Sequence, residues 1–119
     1  MNYTIDASVF VAAARAPEIH HAASLEFLRL VGGQTENLFC STLVLAECSA
    51  AIARQTNRPI LAERTVTLIE RFPNLLLAPL DLPLARRAAQ IAMTHRLRGA
   101  DSIYVAVAET FNATHHLGC

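Results

Sequence analysis

Three carboxylates lie in segments where packing would favour an apolar residue. Asp6 closes the apolar run NYTI, Glu47 lies within the helical run LVLAECSAAIAR, and Asp101 opens the largely apolar run DSIYVAVAE. Helical spacing places Glu47 and Asp101 on the same faces as small and aliphatic neighbours, so both side chains should point toward packed surface. A buried carboxylate is costly unless it is paired or bound to a metal ion. Hard divalent cations such as Mg²⁺ and Mn²⁺ prefer oxygen ligands, so the three acids together predict a metal site.

Each of these acids, taken singly, also has an ordinary explanation. Asp6 could simply cap the helix that follows it. Glu47 could form an internal ion pair, with Arg98 as the candidate partner. Asp101 suits the positive end of a helix dipole. If the three carboxylates converge without a cation, however, they repel one another and at least one of them must stay protonated.

The elements that must position these acids alternate between strands and helices. Strands are expected at 2–5, 36–41 and 74–80, where the chain is apolar and lacks polar alternation. In the helix predicted at 17–31, the apolar stripe consists of Ile19, Ala22, Ala23, Phe27, Leu28 and Val31. Periodicity and proline or glycine boundaries predict helices at 7–14, 17–31, 43–54, 59–72, 82–95 and 100–111.

This alternation predicts an α/β fold in which helices cover both faces of a parallel sheet. Sites in such folds lie beyond the carboxyl ends of the strands, at a point where the strand order reverses. Asp6 follows the first strand directly. The acid is therefore in the place where an α/β fold would put a site.

Length and composition restrict the class of protein further. With 119 residues, of which 53% are hydrophobic and 17% charged, the chain is predicted to form one compact domain over 1–119. Ten basic and ten acidic residues cancel, so no overall field draws the chain to nucleic acid or membranes. All the basic residues are arginines, which excludes Walker A loops and Schiff-base enzymes because both need a lysine. A dinucleotide-binding fold is also excluded, since no GxGxxG follows the first strand.

Cysteine content and hydropathy indicate the compartment. The three cysteines are odd in number and form no CxxC pair, which is typical of a reduced, cytoplasmic protein. Cys40 and Cys48 are expected to act as small hydrophobic residues in the core. No apolar run approaches the roughly 18 residues needed to cross a bilayer, so a soluble protein without membrane contact is predicted.

Three segments of the sequence resemble motifs of the PIN-domain nucleases, and especially of the VapC-like toxins of prokaryotic toxin–antitoxin pairs. TIDASVFVAA is similar to the first motif, with Asp6 as its acid and Ser8 as the usual hydroxyl companion. STLVLAECSAAIAR is similar to the second, with Glu47 as the helical acid, and LRGADSIYVAVAE matches the third closely around Asp101. The resemblance implies a three-layer α/β/α sandwich with a central, mostly parallel sheet. In this sequence the last strand is expected to be shortened or degenerate, because its segment has lost its apolar character.

The same resemblance implies a Mg²⁺- or Mn²⁺-dependent endoribonuclease that hydrolyses RNA phosphodiesters with a metal-activated water. Asp6, Glu47 and Asp101 would be its catalytic metal ligands, and Ser8 would orient a water or a phosphate oxygen. A homodimer silenced by a VapB-like antitoxin is also implied. The arginines that are candidates for contact with RNA phosphates are Arg54, Arg96 and Arg98.

The sequence departs from the family pattern in its last segment, ATHHLGC. Cys119 stands where PIN domains usually carry a fourth acid, and a soft thiol is a poor ligand for Mg²⁺. One hypothesis is that the terminal carboxylate of Cys119 partly replaces the missing ligand. A zinc site involving His115, His116 and Cys119 would need further partners.

Two alternative functions stay open beside the nuclease. The departure at Cys119 favours a catalytically weak or silent PIN module that dimerises and binds an antitoxin or RNA. An aspartyl-phosphate phosphotransferase is less well supported, because Ser8 stands where a second acid would be needed and the chain has no lysine.

Overall fold

The structure, a computed structural model, describes residues 2–17, 19–33 and 37–116, and for 114–116 it describes the backbone alone. Within these residues the chain alternates between strands and helices, as predicted. The strands are Asn2–Ile5 (β1), Asn37–Ser41 (β2), Leu75–Ala78 (β3) and Thr114–His116 (β4). The helices are Ala7–Ala14 (α1), His21–Gly32 (α2), Leu43–Thr56 (α3), Pro59–Glu70 (α4), Leu82–His95 (α5) and Gly99–Thr110 (α6).

The strands form a parallel sheet in the order β3-β2-β1-β4. The chain moves outward from β1 through β2 to β3 and then returns to place β4 on the other side of β1. The strand order therefore reverses at β1, and parallel folds place their sites at the carboxyl end of such a strand. Asp6 occupies this position. β4 pairs in parallel with β1. The residues after His116, on which the predicted shortening of the last strand depends, lie outside the described residues.

Helices cover both faces of the sheet, which confirms the predicted three-layer α/β/α arrangement. On one face, Leu38 and Cys40 of β2 pack with residues of α1 to α4 in the main core. Because side chains alternate along a strand, Phe39 points to the opposite face, where it stacks on Phe111 with ring centroids 4.4 Å apart. Phe111 follows α6, so α6 lies on that second face, and Ile91 belongs to the small cluster that joins α5 to α6.

The prediction for the second helix was wrong at its start. The helix begins at His21 rather than at residue 17, because residues 16, 17, 19 and 20 lie in turns between α1 and α2. The His21 Nδ1 atom contacts the Ala12 carbonyl oxygen at 2.8 Å and attaches the start of α2 to α1. The predicted apolar stripe is confirmed only in its second half, where Leu28 and Val31 are buried and Phe27 is half-buried. Its first half is wrong, because Ile19, Ala22 and Ala23 are exposed. The residues of α2 that are buried are Ser24, Leu28 and Val31.

The third predicted strand is shorter than expected at both ends. Asn74 adopts a left-handed conformation with φ of 62°, which ends the turn before the strand rather than beginning the strand. Pro79 follows the last strand residue, Ala78, and cannot donate a ladder hydrogen bond. None of the helices in the described part of the chain is long and apolar enough to span a membrane.

Candidate active site

Asp6 lies at the end of β1 and caps α1. The backbone N–H of Ser8 donates to Asp6 Oδ1 at 2.9 Å, which is the capping role considered for this acid. The Asp6 side chain is only half-buried, and it lines a cleft together with Ser8, whose side chain is exposed. Asp6 therefore both caps α1 and presents its side chain to the cleft.

Glu47 lies in the middle of α3 and lines the same cleft. Its Oε1 accepts a hydrogen bond from the Tyr104 hydroxyl at 2.7 Å. The expected internal pair between Glu47 and Arg98 is not the arrangement found, because Arg98 Nε instead lies 3.2 Å from Asp101 Oδ2. A neutral hydroxyl from α6 thus takes the place predicted for a guanidinium.

Asp101 lies in the first turn of α6, one turn before Tyr104. Its side chain is 38% exposed and that of Arg98 is 89% exposed, so this ion pair lies at the surface. Asp101 does not line the cleft that Asp6 and Glu47 share. Across the described ranges, no three His, Cys, Asp or Glu side chains are grouped to hold a metal ion.

The cleft has a volume of about 670 Å³ and presents charges of both signs. Asp6 and Glu47 contribute the acids, and Arg54 of α3, one of the candidates for RNA contact, contributes a cation. Arg96 and Arg98 are exposed in the connection between α5 and α6 and do not line this cleft.

Two further lining residues, His20 and Gln55, were not predicted from the sequence. A signal for Gln55 exists, because it lies eight residues after Glu47 and hence near the same face of the helix. Its side-chain oxygen accepts from Arg15 Nη1 at 2.8 Å, which fixes it beside the end of α1. No pattern in the neighbouring sequence predicts that His20 lines the cleft. His20 lies in the turn between α1 and α2, and the path of that turn brings it to the cleft.

Two buried thiols hold the backbone on either side of Asp6. Cys40 Sγ donates to the Ile5 carbonyl oxygen at 3.1 Å, and Cys48 Sγ lies 3.6 Å from that of Ala7. Burial raises the pKa of each thiol to about 12, so both stay protonated and remain donors at neutral pH. Both cysteines are buried in the main core, as predicted.

The chemistry of the lining residues fits a hard divalent cation. Asp6 and Glu47 supply carboxylate oxygens on one cleft, with the Ser8 side chain beside them. The pair with Arg98 engages Asp101 through its Oδ2 atom. An exposed ion pair of this kind contributes about 0–1 kcal/mol, so it holds Asp101 only weakly. Cys119 and the side chains of His115 and His116, on which the terminal-carboxylate hypothesis and the zinc alternative depend, lie outside the described residues.

Comparison with protein families and solved structures places this fold among known proteins. A family model described as PIN domain matches residues 3–115. No curated protein matches the chain.

Several solved structures are similar to the chain. One is VapC20 of Mycobacterium tuberculosis, a toxin described as cleaving the sarcin–ricin loop. It is 18% identical in sequence, with a TM-score of 0.78, and the match covers 93% of this chain and 84% of VapC20. VapBC2 of Rickettsia felis, bound to a promoter DNA fragment, is 15% identical with a TM-score of 0.72, covering 97% and 86%. VapBC-1 of nontypeable Haemophilus influenzae is 17% identical with a TM-score of 0.63, covering 97% and 84%. At these identities the likeness is one of fold.

Proposed function

Because this chain belongs to the PIN domain family, we propose that it is a Mg²⁺- or Mn²⁺-dependent endoribonuclease and the toxin of a VapBC-like toxin–antitoxin pair. The observation that carries the proposal is the cleft in which Asp6 and Glu47, distant in sequence, lie together with Ser8 and Arg54. The cleft adjoins the carboxyl end of β1, where the strand order reverses.

The acids, the serine and the arginine of the site can each be given a role in metal-dependent hydrolysis of RNA. Asp6 and Glu47 would hold the cation, with Asp101 joining them from α6. A bound Mg²⁺ or Mn²⁺ would supply an activated water and stabilise negative charge at phosphorus. Ser8 would orient a water or a phosphate oxygen, and Arg54 would bind a backbone phosphate at the same cleft.

The proposed partners follow from the neighbours in fold. Two of them are VapBC assemblies by name. We therefore propose that this chain is silenced by a VapB-like antitoxin. The homodimer that we propose beside it rests on the resemblance of the sequence to VapC-like toxins. An antitoxin segment that enters the cleft would have to satisfy its carboxylates, which favours a basic side chain at that point.

One observation favours a second candidate, a silent PIN module that binds an antitoxin or RNA without cleaving it. Arg98 pairs with Asp101 at the surface, and the described residues contain no ready group of three acids. A module of this kind would keep the cleft and its arginine while lacking a complete metal site.

Removing the metal ion tests the proposal. Purified protein should convert circular single-stranded RNA to linear product in Mn²⁺, which identifies endonucleolytic cleavage. With EDTA the rate should fall at least about 100-fold, because several kcal/mol of charge stabilisation are lost, and excess Mn²⁺ should restore it. Cleavage that persists in EDTA would contradict a metal-dependent nuclease. RNA or antitoxin binding without any cleavage would instead support the silent module.

Replacing Arg54 by alanine should weaken RNA binding about fivefold, since one charge-assisted contact in the cleft is worth about 1 kcal/mol at an exposed site. The slope of log affinity against log salt should decrease by about 0.7, the value for one contact to single-stranded nucleic acid. Fluorescence anisotropy with labelled RNA in Ca²⁺ at several salt concentrations measures both quantities.

The matched control for Arg54 is Arg64→Ala, which removes an exposed arginine of α4 that does not line the cleft. Its RNA affinity should stay close to that of the unsubstituted protein. Equal losses in the two variants would show that RNA responds to general charge rather than to the cleft.

A further inference from the structure

Tyr104 connects the elements that carry the three acids. The residue lies in α6, is 1% exposed, and places its hydroxyl between two other elements. The hydroxyl accepts a hydrogen bond from the Ala7 backbone N–H at 3.1 Å and donates one to Glu47 Oε1 at 2.7 Å. Ala7 follows Asp6 directly, Glu47 is in α3, and Asp101 precedes Tyr104 by one turn of α6. One buried oxygen therefore joins the junction of β1 and α1, helix α3 and helix α6.

We propose that Tyr104 is a positioning residue, whose hydroxyl holds the Glu47 carboxylate against the segment of Asp6 and so sets the spacing of the acids for a divalent cation. The part of this inference that concerns the cation rests on the proposed function. The part that concerns the Ala7 and Glu47 contacts does not.

The chemical type of the partner matters for Glu47. A partly buried carboxylate needs a hydrogen bond to offset the water it loses. An arginine would supply that bond but would also place a positive charge beside the carboxylate, as Arg98 does for Asp101. The Tyr104 hydroxyl supplies the bond at 2.7 Å without adding positive charge. This contact therefore brings to Glu47 no charge that would compete with a cation.

The backbone contact fixes the other acid. The first N–H groups of a helix have no partner within the helix. Here Asp6 Oδ1 accepts from the Ser8 N–H and Tyr104 accepts from the Ala7 N–H, so two consecutive amides of α1 are satisfied. The position of Asp6 therefore depends on a residue of α6. Loss of the Tyr104 hydroxyl should loosen the start of α1 as well as Glu47.

Tyr104→Phe tests this inference, because it removes the hydroxyl and keeps every ring atom in the core. Hydrogen exchange at the Ala7 amide should accelerate about fivefold, the effect of one net hydrogen bond. Affinity for Mn²⁺, measured by the electron paramagnetic resonance signal of the free ion, should fall by a similar factor. RNA affinity in Ca²⁺ should change less than twofold. Circular dichroism and urea unfolding verify that the variant is folded.

Tyr3→Phe is the matched control, since Tyr3 packs on Phe27 away from the cleft. It should change neither the Ala7 exchange rate nor Mn²⁺ affinity. Glu47→Gln changes the acceptor of the Tyr104 hydroxyl instead of the hydroxyl itself. In this variant the Mn²⁺ affinity should fall, while the Ala7 amide keeps its protection against hydrogen exchange.

The outcomes separate the inference from the proposed function. Unchanged Ala7 exchange in Tyr104→Phe would overturn the inference, as would unchanged Mn²⁺ affinity in a protein that binds the ion. Failure of the unsubstituted protein to bind Mn²⁺ would overturn both the proposed function and the role of Tyr104 toward the cation. Accelerated Ala7 exchange and a changed Glu47 carboxyl ¹³C shift, in Tyr104→Phe but not in Tyr3→Phe, would still support the structural contact in that case.

Discussion

Replacing Asp6 by asparagine is expected to reduce metal-dependent RNA cleavage at least about 1000-fold, with little change in the free energy of unfolding. The loss reflects about 4 kcal/mol of transition-state stabilisation that depends on the carboxylate charge. Stability should change by only a few tenths of a kcal/mol, because asparagine caps a helix about as well as aspartate and keeps an oxygen for the Ser8 N–H. Cleavage rates in Mn²⁺ and urea unfolding curves measure the two effects.

Asp81→Asn provides a matched control for Asp6→Asn. Asp81 caps α5 in a comparable way, with its Oδ1 accepting from the Leu84 N–H at 3.0 Å, and it does not line the cleft. This variant should cleave RNA at the unsubstituted rate. Full activity in Asp6→Asn, or equal losses in both variants, would contradict the assignment of Asp6 to the site.

Ile52→Ala is expected to lower the free energy of unfolding by about 2–5 kcal/mol. Ile52 is 0% exposed in the main core, and its truncation removes apolar contacts and leaves a cavity. Domains of this size are stable by about 5–15 kcal/mol in total, so the loss is a large fraction. Ile52 lies on α3 together with Glu47 and Arg54, so the core packing of this helix also supports two residues of the cleft. Urea unfolding followed by circular dichroism measures the change.

The control for Ile52 is an isoleucine of the next helix that is not in the core. Ile60 lies in α4 and is 64% exposed. Ile60→Ala should change the free energy of unfolding by less than about 0.5 kcal/mol, as is usual for surface substitutions. Similar losses in the two variants would contradict the assignment of α3 to the main core.

The fold followed from patterns that are local in the chain. Unbroken apolar strands predict burial on both faces and hence a parallel sheet, and the helices between them were predicted with errors mainly at their ends. The error at α2 arose because the Ala12–His21 contact sets the start of that helix, and this contact joins two different helices. Turn residues such as Asn74 shifted the ends of β3 for a similar reason.

The candidate site residues could be identified from residue types and short-range spacing alone. Acids in apolar segments, a capping aspartate at a strand end, and Glu47 and Arg54 two turns apart on one helix follow from residue type and helical spacing. These features depend on neighbours within a few residues, so they can be derived without knowing how the elements pack.

The partner of each acid, in contrast, could be identified only from the packing of the folded chain. Arg98 pairs with Asp101 rather than with Glu47, Tyr104 binds Glu47, and His20 lies at the cleft. Each of these contacts depends on the distance and rotation between elements far apart in the chain. Those quantities are set by how the whole core packs around the sheet, and a side chain shifted by one helical turn would take a different partner.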